Sequence, residues 1–75
     1  MNLRDRTIAD IRKSLADGSA AERRKAAGVS QGWMAVRLGV GQPAVSMYES
    51  GRRVPTGEHA LAYGKALAAA ERAAT

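Results

Sequence analysis

Residues 31–50 read QGWMAVRLGVGQPAVSMYES, and the rest of the chain is organised around this stretch. Two short segments, Gln31 to Leu38 and Gln42 to Ser50, flank Gly39-Val40-Gly41. In the first, Met34, Ala35 and Leu38 fall on one face of a helix that repeats every ~3.6 residues; in the second, Val45 and Tyr48 do the same. Gly39 follows the last apolar residue of its segment, where a left-handed backbone ends a helix and a Cβ would be penalised. Gly41 is a permissible N-cap, and Pro43 sits in the first turn of the second helix, where its missing N–H breaks no hydrogen bond. Ala35 is small where a crossing helix would crowd anything larger, and Val40 is placed to point back into the core. The stretch is therefore a helix, a tight turn and a second helix.

Outside this stretch the chain continues in helices. Asn2 is a candidate cap, and Ile8, Ile11 and Leu15 then recur at three- and four-residue steps over about 3–16, with Arg4, Arg12 and Lys13 largely off that face. Ser19-Ala20-Ala21-Glu22 has the spacing of a capping box opening a second helix from about Ala20 to Ala27, which Gly28 stops. Ser30 is placed to cap the third. Beyond Ser50, Gly51-Arg52-Arg53-Val54-Pro55 reads as a loop, and Thr56 as the cap of a last helix with Ala60, Tyr63 and Leu67 inward. Gly64 in that helix permits close approach of a neighbour. The fold class is all-α, with five helices in one domain spanning 1–75.

Gln31 to Ser50 resembles the helix-turn-helix of the phage Cro and repressor family of DNA-binding proteins. The apolar residues Met34, Leu38, Val40, Val45 and Tyr48, the small Ala35 and the glycine at Gly39 all match that family's pattern. Gly28-Val29-Ser30-Gln31 resembles the family's Gly-Leu-Ser-Gln, and Glu49-Ser50-Gly51-Arg52-Arg53-Val54-Pro55-Thr56 resembles its passage into the next helix. The likeness runs roughly from Ser19 to Leu67. It implies a lambda-repressor-like fold and a double-stranded DNA operator as partner, bound by a homodimer on DNA.

The resemblance also assigns residues. Gln42 matches the family's base-reading glutamine, and with Val45 and Tyr48 inward the outer face of its helix presents Pro43, Ser46, Met47 and Ser50 as well. An amide at Gln42 can both accept from N6 and donate to N7 of adenine in the major groove. Pro43 and Met47 are apolar where relatives are often polar, and suit thymine methyls. Gln31 matches a residue that meets phosphate at a helix N-terminus, where free N–H groups favour an anion. By their placement in this chain, Gly32, Ser50, Arg52 and Arg53 flank that outer face as further expected phosphate contacts, with Arg37 a weaker candidate. Arg24 stands where the family pairs a cation with the glutamate that Glu49 occupies. The alternatives at that position are a buried, hydrogen-bonded pair and two solvated charges.

Trp33 and Val36 depart from the family at outward positions. Ile8, Ile11 and Leu15 of the first helix are expected to cover them, within one chain or across a dimer. That apolar face also leaves room for a second function class, a protein-interaction module such as an antitoxin-type subunit.

Composition sets outer bounds. Seventy-five residues with no cysteine give a small core without disulfide or cysteine–zinc support. Large apolar side chains are few among many alanines, which points to a partner chain for extra stability. A net charge of +5 and a pI near 10.5 favour a polyanionic partner. No apolar run has the length of a membrane span, and the first residues lack a signal peptide's apolar core, so the expected location is the cytoplasm. His59 is the single histidine, expected to be solvated, and no phosphate-binding glycine loop is present. No enzyme, metal site, cofactor or small-molecule ligand is expected, and the absence of a ligand-sensing domain favours a simple Cro-like repressor.

Overall fold

Each helix begins either at a short polar side chain that accepts from its free N–H groups or at a glycine that makes no such bond. In the computed structural model, which describes residues 1–75, the chain forms α1 (Leu3–Ala16), α2 (Ser19–Ala26), α3 (Gln31–Leu38), α4 (Gln42–Glu49) and α5 (Gly57–Ala74). Asn2 accepts from the Asp5 N–H at 2.8 Å, Ser30 from Trp33 at 3.0 Å and Thr56 from His59 at 3.2 Å. These caps start α1, α3 and α5 where the sequence places them. Gly39 ends α3 with φ of 72°, and the Val40 N–H reaches back to the Ala35 carbonyl at 3.1 Å.

The start of α2 differs from the capping box expected there. Ser19 is the first helical residue rather than the cap, and Gly18, at φ of 87°, precedes it without a side-chain bond. The left-handed glycine swings Asp17 round so that its carboxylate accepts from the Ser19 N–H at 2.9 Å. Asp17 thus satisfies the N–H that a capping serine would leave free, and the helix begins one residue early.

The core is a cluster around Met34, Val45, Tyr48, Tyr63 and Leu15, with Leu38, Leu67 and the alanines Ala20, Ala35 and Ala66 closing it. With no phenylalanine in the chain, the two tyrosines supply its aromatic volume. A buried hydroxyl needs a partner, so aromatic burial here enforces polar contacts. Both hydroxyls have one: Tyr48 with His59 Nδ1 at 3.0 Å, and Tyr63 with Glu49 Oε2 at 2.7 Å. His59 is therefore half-buried against α4 rather than solvated.

The stripe of α1 packs mainly on α5 and α2, not over α3. On α5 the stripe meets Gly64, where a Cβ would stand 2.5 Å from Ile11 Cδ1, so that the tip of Ile11 occupies the space a side chain there would fill. The expected cover of Trp33 and Val36 by α1 within one chain is thus not made. Trp33 instead lies half-buried under the Arg37 guanidinium, 3.6 Å from the ring centroid, and Val36 is 78% exposed. At the other end of α5, a bidentate pair from Arg23 to Glu71, at 2.8 and 2.6 Å, ties its C-terminal turns to α2.

Candidate nucleic-acid interface

α4 turns two faces in opposite directions. Val45 and Tyr48 are buried in the core, whereas Gln42, Pro43 and Ser50 are exposed and Ser46 and Met47 half-exposed. Beneath this helix lies the one buried ion pair. Arg24, 7% exposed, donates from Nε and Nη2 to the two Glu49 oxygens at 2.7 and 3.0 Å, and from Nη1 to the Val29 carbonyl at 2.9 Å. The Glu49 carboxylate also accepts from Tyr63 at 2.7 Å and from Gln31 Nε2 at 3.0 Å.

This arrangement has a direction. A carboxylate can only accept, so Gln31 must present its Nε2 to Glu49 and its Oε1 outward. Gln42 must then donate, and its Nε2 stands 2.6 Å from Gln31 Oε1. The buried pair therefore sets which end of an exposed amide, two hydrogen bonds away, faces inward. Electrostatics agree with the geometry. Burial alone would raise the Glu49 carboxyl, but the bonds from Arg24, Gln31 and Tyr63 outweigh it and hold it below the ordinary glutamate value. The bond to Glu49 raises the Arg24 guanidinium further above its usual range. Burial, and then the bond to Glu49, push the Tyr63 phenol up.

The other predicted residues fall in three places. Gln31 and Gly32 open α3 beside the N-terminus of α4, and a Cβ at Gly32 would meet only Ser30 Oγ at 3.7 Å, so nothing within the chain demands glycine there. Ser50 caps the end of α4 and turns its hydroxyl back to the Met47 carbonyl at 3.2 Å. Arg52 and Arg53 are exposed in the loop that follows, their N–H groups both donating to the Met47 carbonyl at 3.0 and 3.2 Å. Arg37 is apart from these, stacked on Trp33 at the far end of α3.

The helix-turn-helix model of known proteins matches residues 21–69, well over half of the chain. The chain belongs to the helix-turn-helix family. The match takes in α3, the turn and α4, and it leaves α1 outside. Helix-turn-helix domains of this type serve DNA-binding transcriptional regulation. No curated protein and no solved structure matches the chain. No helix of this helix-turn-helix protein is long and apolar enough to cross a membrane, and no group of three His, Cys, Asp or Glu side chains is placed to hold a metal ion.

Three contacts of the helix-turn-helix core had no sequence signal specific enough to find them. The donations from Gln31 and Tyr63 to Glu49 join residues 18 and 14 positions apart, and the Tyr48–His59 contact joins residues 11 apart. The rule that a buried tyrosine hydroxyl needs a partner signals that partners exist, not which they are.

Proposed function

We propose that this chain is a sequence-specific regulator of transcription that reads duplex DNA with α4 in the major groove, in the manner of a Cro-like repressor. The observation that carries the proposal is the pre-set Gln42 side chain. One hydrogen of its Nε2 is committed to Gln31 at 2.6 Å. The second hydrogen and the whole of Oε1 remain for N7 and N6 of adenine, a bidentate contact worth ~1–3 kcal/mol of discrimination. Pre-orientation matters because a side chain ordered before binding loses little entropy on binding.

Around Gln42 the roles divide by chemistry. Pro43 and Met47 offer apolar contact to thymine methyls, and Ser46 offers a hydroxyl to either kind of edge. Gln31 and Gly32 present backbone N–H groups at the start of α3, while Ser50, Arg52 and Arg53 meet phosphates on the other side of the groove. Arg37 is committed to Trp33 and is the weakest of the phosphate candidates. The chain acts as a homodimer on half-sites about one helical turn, ~34 Å, apart, and represses by occluding polymerase.

The exposure of Val36, 78%, favours a second, compatible reading in which the outer face of α3 binds a protein, as an antitoxin-type subunit would. Selection of bound sequences from a random duplex pool tests the main proposal. A symmetric consensus containing adenine at matched positions supports both base reading and dimer. Recovery of unrelated sequences would reject specific recognition.

A further inference from the structure

α1 precedes the segment that the helix-turn-helix model matches, and it makes contacts beyond that segment's own. Two of them converge on the end of the loop after α4. The Arg12 guanidinium donates from Nε at 3.1 Å and from Nη2 at 2.9 Å to the carbonyl oxygen of Pro55. One turn earlier Ile8 is buried, with its Cδ1 3.1 Å from where a Cβ on Gly57 would stand. Pro55 is itself buried and immediately precedes the Thr56 cap of α5.

The loop thus has an anchor at each end. On the α4 side the Arg52 and Arg53 N–H groups hold to the Met47 carbonyl; on the α5 side Arg12 holds Pro55. Gly51, Arg52, Arg53 and Val54 are exposed, only Val54 lies between the two anchors, and of the two arginines only Arg53 approaches a ring, with its guanidinium 5.8 Å from the Tyr48 centroid. A carbonyl that receives two charge-assisted N–H donors from one rigid, planar group is fixed in direction as well as in distance.

We propose that Arg12 is a positioning residue for DNA binding: through the Pro55 carbonyl it clamps the exit loop to α1 and so holds Arg52 and Arg53 in place for the phosphate backbone. The role of α1 is then to pre-order that loop, which removes an ordering cost from the binding step. The inference rests on the DNA-binding reading above, in which Arg52 and Arg53 meet phosphate.

The test is a double-mutant cycle on duplex DNA with an exchange measurement on the free protein. Arg12→Gln should weaken binding by about fivefold or more in the otherwise unaltered chain and have little further effect when Arg52 and Arg53 are both alanine, the behaviour of coupled residues. Lys13→Gln removes the same charge from an exposed position on the same helix and should change affinity much less. In the free protein, Arg12→Gln should speed amide hydrogen exchange at Arg52 and Arg53 while leaving the core amides of α5 unchanged, a local opening rather than a global loss of stability. Equal weakening by Arg12→Gln in both backgrounds, or equal effects of Arg12→Gln and Lys13→Gln, would overturn the positioning role. Unchanged exchange at the loop would overturn the clamp itself. Failure of the unaltered chain to bind any duplex would instead overturn the DNA reading, and with it the purpose assigned to the clamp.

Discussion

Glu49 is the residue on which the core and the exposed face of the helix-turn-helix meet. Its carboxylate takes donors from α2, α3 and α5 while its own backbone belongs to α4. Removing Arg24 leaves that carboxylate buried with two neutral donors and no counter-charge. Breaking a buried pair in this way costs ~3–5 kcal/mol, and a domain of this size loses roughly 4–8 °C of melting temperature per kcal/mol. Arg24→Ala should therefore lower the melting temperature by more than ten degrees or leave the chain unfolded, as read by circular dichroism; an unchanged melting point would mean the pair is solvated in solution. The same carboxylate sets the acid limit of stability. Its folded pKa lies below its unfolded one, so its contribution is complete above the ordinary glutamate value of 4.5 and is lost as pH falls through the depressed folded value. Glu71, held low by its bonds to Arg23, acts with the same sign from an exposed site. Melting temperature should hold between pH 7 and about 5 and fall steeply below 4.5, and a flat profile to pH 3 would contradict this assignment. At this scale the sequence was partly legible. The Arg24 and Glu49 positions follow from the resemblance, but their further partners Gln31 and Tyr63 come from folding α3 and α5 around them.

Among elements, the docking of α1 is the least legible feature and the most informative. The stripe Ile8, Ile11, Leu15 announces a buried face, yet periodicity says nothing about which groove receives it. The apolar Trp33 and Val36 invited α1 onto α3; it packs instead on α5 and α2, with Ile11 against Gly64. In the free helix that glycine is a cost, since alanine is better by ~1 kcal/mol in a helix interior. Here it admits Ile11, whose Cδ1 lies 2.5 Å and Cγ1 3.3 Å from the position of a Cβ. Gly64→Ala should be close to neutral, because the helix gains what the displaced tip of Ile11 loses. Gly64→Val adds branched bulk against the same side chain and should destabilise by about 1–3 kcal/mol, the range for overpacking. Chemical denaturation of the two variants checks the ordering, and a Gly64→Val protein as stable as Gly64→Ala would place α1 elsewhere. The helices α3, α4 and α5 were readable because each carries its own punctuation in the sequence: Ser30, Gly39, Pro43 and Thr56 act locally. Where punctuation is shared between neighbours, as at Asp17-Gly18-Ser19, the helix start shifted by one residue.

For the whole molecule, net charge overstates what reaches DNA. The chain carries +5 at neutral pH, a sum in which Arg24 and Arg23 are already balanced by Glu49 and Glu71, while Arg37 and Arg12 keep their charge but lie against Trp33 and the Pro55 carbonyl. In the proposed interface the backbone N–H groups of α3 would meet phosphate without neutralising it, so Arg52 and Arg53 are the principal cations it brings to the strand. Binding constants fall with salt at a slope of roughly −0.9 per neutralised phosphate on a log–log plot, so four such contacts in a dimer give about −3.6. Counting the net charge of two chains would give about −9 by the same rule. A measured slope near the lower figure supports a local interface; one near the higher figure would mean that the molecule binds as a diffuse polycation. Arg52→Ala should then flatten the slope by about 1.8, one contact from each protomer, and weaken all duplexes alike. Gln42→Ala should leave the slope unchanged while relaxing preference at a single base pair by ~1–3 kcal/mol. Salt titrations of both variants on a selected site and on an unrelated duplex separate the two effects. If Gln42→Ala altered the slope and left preference intact, the exposed glutamine would be a phosphate contact and α4 would not be reading sequence.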